Sequence, residues 1–316
     1  MKEELIISGR NLPHIDPHLS LWHWPISLYL FLGGLAAGIL FFAALVTLFR
    51  KEEKYLGAVK YATIIPPIAL SVGLLALLYD LTHLWYAWRL YMVIRIESPM
   101  SWGAWTLLLV TPISFLWMIS YFKEYFPNWK WQQGVWNYAS IAIDFINKYK
   151  RVMAWILVPS TIILGIYTGI LLSAFNARPL WNNSILGPLF LTSGLSTGAA
   201  AIIVLSKSHD ERRMFSMIDL VLIGIELFLI THMLMGMLAG SQVQLEASEL
   251  LLGGEFTVAF WVFVIILGLA FPAVLEIFEL IGYKVPAVIP ALLVLLGGMI
   301  FRFIMVDAGQ ITRYLY

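Results

Sequence analysis

The chain has 316 residues, of which 60% are hydrophobic and 12% charged, with a formal net charge of +1 and a mean hydropathy of +0.84. A water-soluble domain carries roughly 25% charged and about 45–50% apolar residues, so a soluble enzyme or binding module is excluded and the bilayer is the expected solvent. The absence of cysteine excludes an iron-sulfur cluster, thiolate-bound metal or disulfide supplied by this chain; the net charge by itself says nothing about partners, and nucleic acid is not an expected ligand.

Eight stretches reach the roughly 20 mostly apolar residues that a spanning helix needs. They lie near residues 22–49, 56–79, 101–122, 151–174, 185–206, 216–240, 255–281 and 285–307, which predicts an all-α integral membrane protein. Residues 1–21 are polar, contain Pro13 and Pro17, and read as an extracytoplasmic segment rather than a cleavable signal, so the first helix is expected to be retained. Residues 80–96 put Leu81, Leu84, Trp85, Trp88 and Met92 on one helical face, the pattern of an outer interfacial helix. Residues 123–150, with Trp129, Trp131 and Trp136 among lysines, read as an inner interfacial segment, and residues 308–316 as a C-terminal tail. Most of the 13 tryptophans fall at predicted helix ends, where an aromatic belt accounts for them.

The loops after the odd-numbered helices hold Arg50, Lys51, Lys54, Lys123, Lys130, Lys148, Lys150, Arg151, Lys207, Arg212, Arg213 and Lys284, whereas the termini and the other loops hold half as many basic residues. The positive-inside rule then places both termini outside the cytoplasm, in the inner membrane of the cell. Gly34-Leu35-Ala36-Ala37-Gly38 matches Gly194-Leu195-Ser196-Thr197-Gly198 at an offset of 160 residues, which Pro112 and Pro272 share. Four helices separate the copies, so the expectation is two parallel-repeat four-helix bundles, 22–174 and 185–307, related by an axis along the membrane normal. A Gly-x-x-x-Gly pair by itself reads as close helix packing.

Ionisable groups inside a span cost several kcal/mol unless paired or wetted, so each is a candidate for function. His23 opens helix one, Asp80 and His83 end helix two three residues apart, and Tyr167, Arg178 and Trp181 lie at the outer end of helix four and its loop. Together with Trp22, and with His232 in the outer half of helix six, they are expected to converge on the outer half of the bundle. Imidazole and phenol donors among aromatic walls suit a flat apolar ring with two carbonyl oxygens, a quinone, and the imidazole titrates near neutral pH, as proton exchange requires. Glu226 near mid-membrane and Asp219 two turns below it, with His232 above, form a candidate proton path from the inner side, while Glu276 and Glu279 read as solvated helix ends and His209 as a loop residue. No metal site is expected. Two of His23, His83 and His232 suffice in number for one haem, so a haem-b anchor stays open, as does a secondary transporter using Glu226 and His232.

Several stretches carry a family likeness. They are Trp22-His23-Trp24-Pro25, the run Tyr29 to Gly38, Tyr79-Asp80-Leu81-Thr82-His83, Ser98 to Trp105, Gly165-Ile166-Tyr167-Thr168-Gly169, Ala177-Arg178-Pro179-Leu180-Trp181-Asn182, Ser193 to Ala200 and Gly297 to Arg302. In them the chain resembles the NrfD/PsrC family of integral-membrane quinone-binding subunits, found in polysulfide reductase and related iron-sulfur molybdoenzyme complexes. The resemblance implies an eight-helix, haem-free subunit that binds menaquinone or ubiquinone at the face where a ferredoxin-like four-cluster iron-sulfur subunit docks. That partner would connect the quinone to a molybdopterin catalytic subunit holding molybdenum or tungsten, so iron-sulfur clusters and pterin belong to partner subunits only. The family's quinone-contacting His falls on His23 and its Tyr on Tyr167, and its polar residues ahead of the His fall near Asp16 and Ser20.

Overall fold

A computed structural model describes residues 22–131, 133–134, 136–283 and 285–312. Segment 1–21, with Asp16 and Ser20, and residues 313–316 of the expected tail lie outside the described residues. Among the described residues, eight helices are long and apolar enough to cross a membrane, and no strand occurs. They are α1 Trp24–Leu48, α2 Gly57–Asp80, α3 Pro99–Ser120, α4 Trp136–Ser173, α5 Leu186–Leu205, α6 His209–Leu238, α7 Ala259–Ile281 and α8 Val288–Ile311. Residues 308–311, expected in the tail, complete α8.

Local chemistry sets the helix ends. Pro25 and Pro99 sit in the first turns of α1 and α3, where a missing N–H costs nothing. α2 begins as a π turn over Gly57–Tyr61 and settles into α-helix at Ile65, just before Pro66 and Pro67. α7 is likewise π-helical over Ala259–Ala270 and becomes α-helical at Phe271, next to Pro272.

The two interfacial expectations need correction. α2 stops at Asp80 because Leu81 turns extended, and the rest of 80–96 forms only a 3-10 turn at Leu84–Tyr86 and one helical turn at Arg89–Met92. An isolated helix this short gains too little from propagation to offset its nucleation. In 123–150, by contrast, residues from Trp136 onward are the start of α4. With no Gly or Pro between residues 136 and 158, the helix runs for 38 residues, roughly 57 Å at 1.5 Å per residue, nearly twice the hydrocarbon thickness. A further amphipathic helix, Gln242–Leu252, opens with a capping box between Ser241 and Gln244.

In the packing, α1 neighbours α2, α4, α5 and α8, α3 lies against α2 and α4, and α6 and α7 pack with α5 and α8. α1 and α5 meet through glycines: a Cβ on Gly34 would lie 3.5 Å from the Gly194 Cα, and one on Gly38 would lie 3.0 Å from the Gly198 Cα and overlap the Gly194 carbonyl. The two matching Gly-x-x-x-Gly stretches are therefore each other's packing partners, and α7 and α8 approach as closely at Gly268 and Gly297.

At the opposite end from His23, the Glu211 carboxylate, 1% exposed, ties α6 to the start of α2. It accepts hydrogen bonds from the Gly57 and Ala58 amides at 3.0 and 2.9 Å and from the Ser206 hydroxyl at 2.6 Å. An anion between two helix N-termini is favoured by both sets of free amides.

Gly38→Leu is expected to cost about 1–3 kcal/mol by overpacking this seam and to lower the melting temperature of the detergent-solubilised protein in a size-exclusion assay. Gly224→Ala, on α6 with open space where its Cβ would stand, is expected to melt no lower than the parent.

Candidate functional site

The ends of α1 to α4 on the His23 side enclose a cavity of about 160 Å³, an order of size that accepts one aromatic ring. Its walls are aliphatic and aromatic, including Trp22, Ile26, Leu77, Leu90 and Leu107, and its polar groups are Asp80, Thr82 and three phenols, Tyr29, Tyr91 and Tyr167. Tyr29 and Tyr167 interact with one another, and Tyr91 acts electrostatically on both. Tyr91 stands outside the spans on the turn Arg89–Met92, where burial pushes its phenol up from the ordinary value and keeps it a donor. The Tyr167 ring lies on the backbone of Gly103 in α3, at a spot that any Cβ would fill.

His23 caps α1 from an extended conformation, and its Nδ1 lies 2.9 Å from Asp80 Oδ1. Its side chain is 62% exposed whereas that of Asp80 is 7% exposed. The pair thus joins the surface to the cavity wall. Trp22 is held from behind: its amide donates to Gln310 Oε1 at 2.7 Å and its carbonyl accepts from Gln310 Nε2 at 2.8 Å. Its ring packs at 5.1 Å against that of Trp181, which in turn donates to the Met305 carbonyl at 2.6 Å. Arg178 donates to the carbonyls of Gln310 and Thr312 at 2.7 and 2.9 Å, satisfying the C-terminal end of α8. The structure therefore places Arg178 and Trp181 one layer behind the cavity, as the support on which Trp22 and His23 rest.

The other histidines go elsewhere. The break at Leu81 carries His83 away from the cavity to an exposed position beside Tyr86, so the helical continuation expected to keep it on the Asp80 face does not exist. His232 is exposed on α6, stacked on Phe228 at 6.0 Å, and α6 packs on α5, α7 and the Gln242–Leu252 helix. His232 therefore joins neither the outer cluster nor His23.

The model of the family described as "Polysulphide reductase, NrfD" matches residues 14–313. The chain belongs to the NrfD family. It is 31% identical over 304 residues to the C component of polysulfide reductase from Wolinella succinogenes, covering 92% of this chain and 94% of that one. It is 31% identical over 307 residues to protein NrfD of Escherichia coli, covering 92% and 96%. A protein NrfD homolog of Haemophilus influenzae is 28% identical over 321 residues, covering 95% and 98%. This NrfD-family protein is thus matched along nearly its whole length, cavity included.

A second group of polar side chains crosses the other half of this NrfD-family protein. Arg302 of α8, 1% exposed, donates to Ser193 Oγ at 2.5 Å and to the carbonyls of Phe190 and Gly298 at 3.1 and 3.4 Å, and Glu226 is the carboxylate that acts on it. Ser193 also interacts with Glu226, and one turn along α5 Ser196 lies 2.5 Å from Asp219 Oδ1. Asp219 faces Glu276, which is fully buried. Glu276 is therefore no solvated helix end, and His209 is the first residue of α6 rather than a loop residue. Sequence reasoning placed Arg302 in a span without a role and missed Tyr29, Tyr91, Gln310 and Glu276. Tyr29, a phenol six residues after His23 in an otherwise apolar span, carried a findable signal; Gln310 and Glu276 depend on partners hundreds and tens of residues away.

Replacing Arg302 by Leu leaves Glu226 buried without its cation and is expected to destabilise the solubilised protein by about 3–5 kcal/mol. Adding Glu226→Gln should recover part of this loss. Strict additivity of the two changes in melting experiments would show that they do not couple.

Proposed function

We propose that the chain is the membrane subunit of a respiratory oxidoreductase complex and that the cavity at the His23 end takes the ring of a quinone. The cavity itself carries this reading: apolar walls for a flat ring, with phenol donors and a carboxyl-imidazole pair leading to the surface. These residues fit the group. When bound, a quinone supplies a carrier of two electrons and two protons. Tyr29, Tyr91 and Tyr167 offer hydroxyl donors to carbonyl oxygens, Trp22, Ile26 and Leu107 exclude water from the ring, and Asp80 passes a proton between the cavity and exposed His23. Ser20 would stand just ahead of this group in sequence.

The family membership supports a partner arrangement of the same kind. The Wolinella succinogenes relative is, by its name, one component of a polysulfide reductase. With no cysteine of its own, this protein would exchange electrons with clusters in a docked ferredoxin-like subunit, and through it with a molybdopterin catalytic subunit. The basic residues of the opposite end support a cytoplasmic placement for that end in the inner membrane, which puts His23, both termini and the partners outside the cytoplasm. Menaquinone and ubiquinone share the chemistry described.

Asp219 and Glu226 belong in this reading to a proton path from the inner side, extended by Glu276, Ser196, Ser193 and Arg302, with His232 off the route. Asp219 of α6 and Glu276 of α7 are both fully buried and face one another, which makes the pair the natural relay point of such a path.

His23→Ala and Tyr167→Phe are each expected to lower quinone-linked turnover of the purified complex by about a hundredfold or more, the usual worth of a positioned proton donor, while electron transfer from the partner subunits to an artificial dye is retained. Unchanged quinone turnover in both would move the site elsewhere. A reduced-minus-oxidised spectrum of the complex with haem-b bands assigned to this subunit would favour the anchor alternative.

A further inference from the structure

We propose that the seam between α3 and α4 at the His23 end is the lateral doorway of the cavity and that the groove outside it holds the isoprenoid tail of the bound quinone. This rests on the quinone reading above. Tyr167 lines both the cavity and an outward-facing groove of about 350 Å³. On its bundle side stand Met100, Ala104 and Leu171, and on its outer side Pro99, Trp102, Ile166 and Ile170. At this level a single ring, seated on Gly103 because a Cβ there has no room, separates the inside from the bilayer.

The groove does not end at that ring. A second hollow of about 470 Å³ shares Trp102 and Ile163 with it and continues along α3 to Thr106 and Leu109. Its walls are apolar and face away from the bundle, with Trp102, Leu109 and Ile163 each 41–53% exposed. In a bilayer such a groove fills with hydrocarbon, and a free acyl chain gains nothing by preferring it to bulk lipid. A tail covalently tied to a ring already held behind Tyr167 is present there at roughly millimolar effective concentration without any additional contact. The occupant whose chemistry matches both sides of Tyr167 is therefore a ring with an isoprenoid tail.

The lack of native cysteine allows clean single-site reporters. The full-length protein is placed in nanodiscs with a trifluoromethyl tag on one of Ile163→Cys in the groove, Leu90→Cys in the cavity wall, or Phe228→Cys on the far, lipid-facing side of α6. Each is titrated with menaquinone-4 and with tailless 2,3-dimethyl-1,4-naphthoquinone and followed by fluorine NMR. The expected result is a saturable shift at position 90 with both ligands, at position 163 with menaquinone-4 alone, and at position 228 with neither. A shift at 90 without one at 163 overturns the groove, leaving it to ordinary lipid. Equal shifts at 163 and 228 reduce it to unspecific partition and overturn it as well. No shift at 90 with either ligand overturns the quinone reading itself.

Discussion

The backbone-to-backbone approach of α1 and α5 is the constraint on which the rest of the molecule depends. Between apolar helices in lipid there is no hydrophobic drive, so association rests on close packing and on polar groups that meet across the interface. Gly34 and Gly38 against Gly194 and Gly198 provide the first. The second follows directly, because the gap they leave admits the Arg302 guanidinium beside Gly34, where it can reach Ser193 and the Phe190 carbonyl. Side chains in place of these glycines would push α1 outward and open the space beside the buried guanidinium.

With α1 fixed by that seam, its two ends are fixed by different chemistry. At the His23 end Trp22, two residues before α1 begins, is gripped by Gln310 of α8, and the Arg178 guanidinium closes the end of the same helix. At the other end a single carboxylate, Glu211, satisfies amides that open α2 while belonging to the first turn of α6. Each tie links residues far apart in sequence, from one half of the molecule to the other. The cavity is therefore built by the first four helices but held in shape by the last four, which explains how candidate contacts such as Trp181 and Arg178 matter without touching it.

The eight spans were legible because hydropathy in a bilayer is a strong, local signal: the expected spans and the helices agree in number, and most ends differ by a few residues. The larger departures have a common physical cause. Periodicity alone does not tell where an amphipathic stretch breaks, so 80–96 turned extended at Leu81 and continued as short turns, whereas 136–150 continued as helix with no Gly or Pro to stop it. At the site, His23, Asp80 and Tyr167 were accessible to reasoning from helix ends and depth. Their sorting from His83 and His232 was not, because it turns on one backbone angle at Leu81 and on which face of α6 meets α5.

The arrangement also keeps two groups of polar side chains apart. The cavity group communicates with the surface through His23, at the end where α1 begins. The carboxyl group of Asp219, Glu226 and Glu276 lies among α5, α6, α7 and α8, sealed by burial. What stands between them is the seam, where Arg302 both touches α5 and comes within 4 Å of where a Gly34 side chain would be. Glu226 acts on that cation from the α6 side, so the guanidinium stands at the crossing as a paired charge and not as a free one. The same residue that completes the packing of α1 on α5 thereby ties the seam to the buried acids.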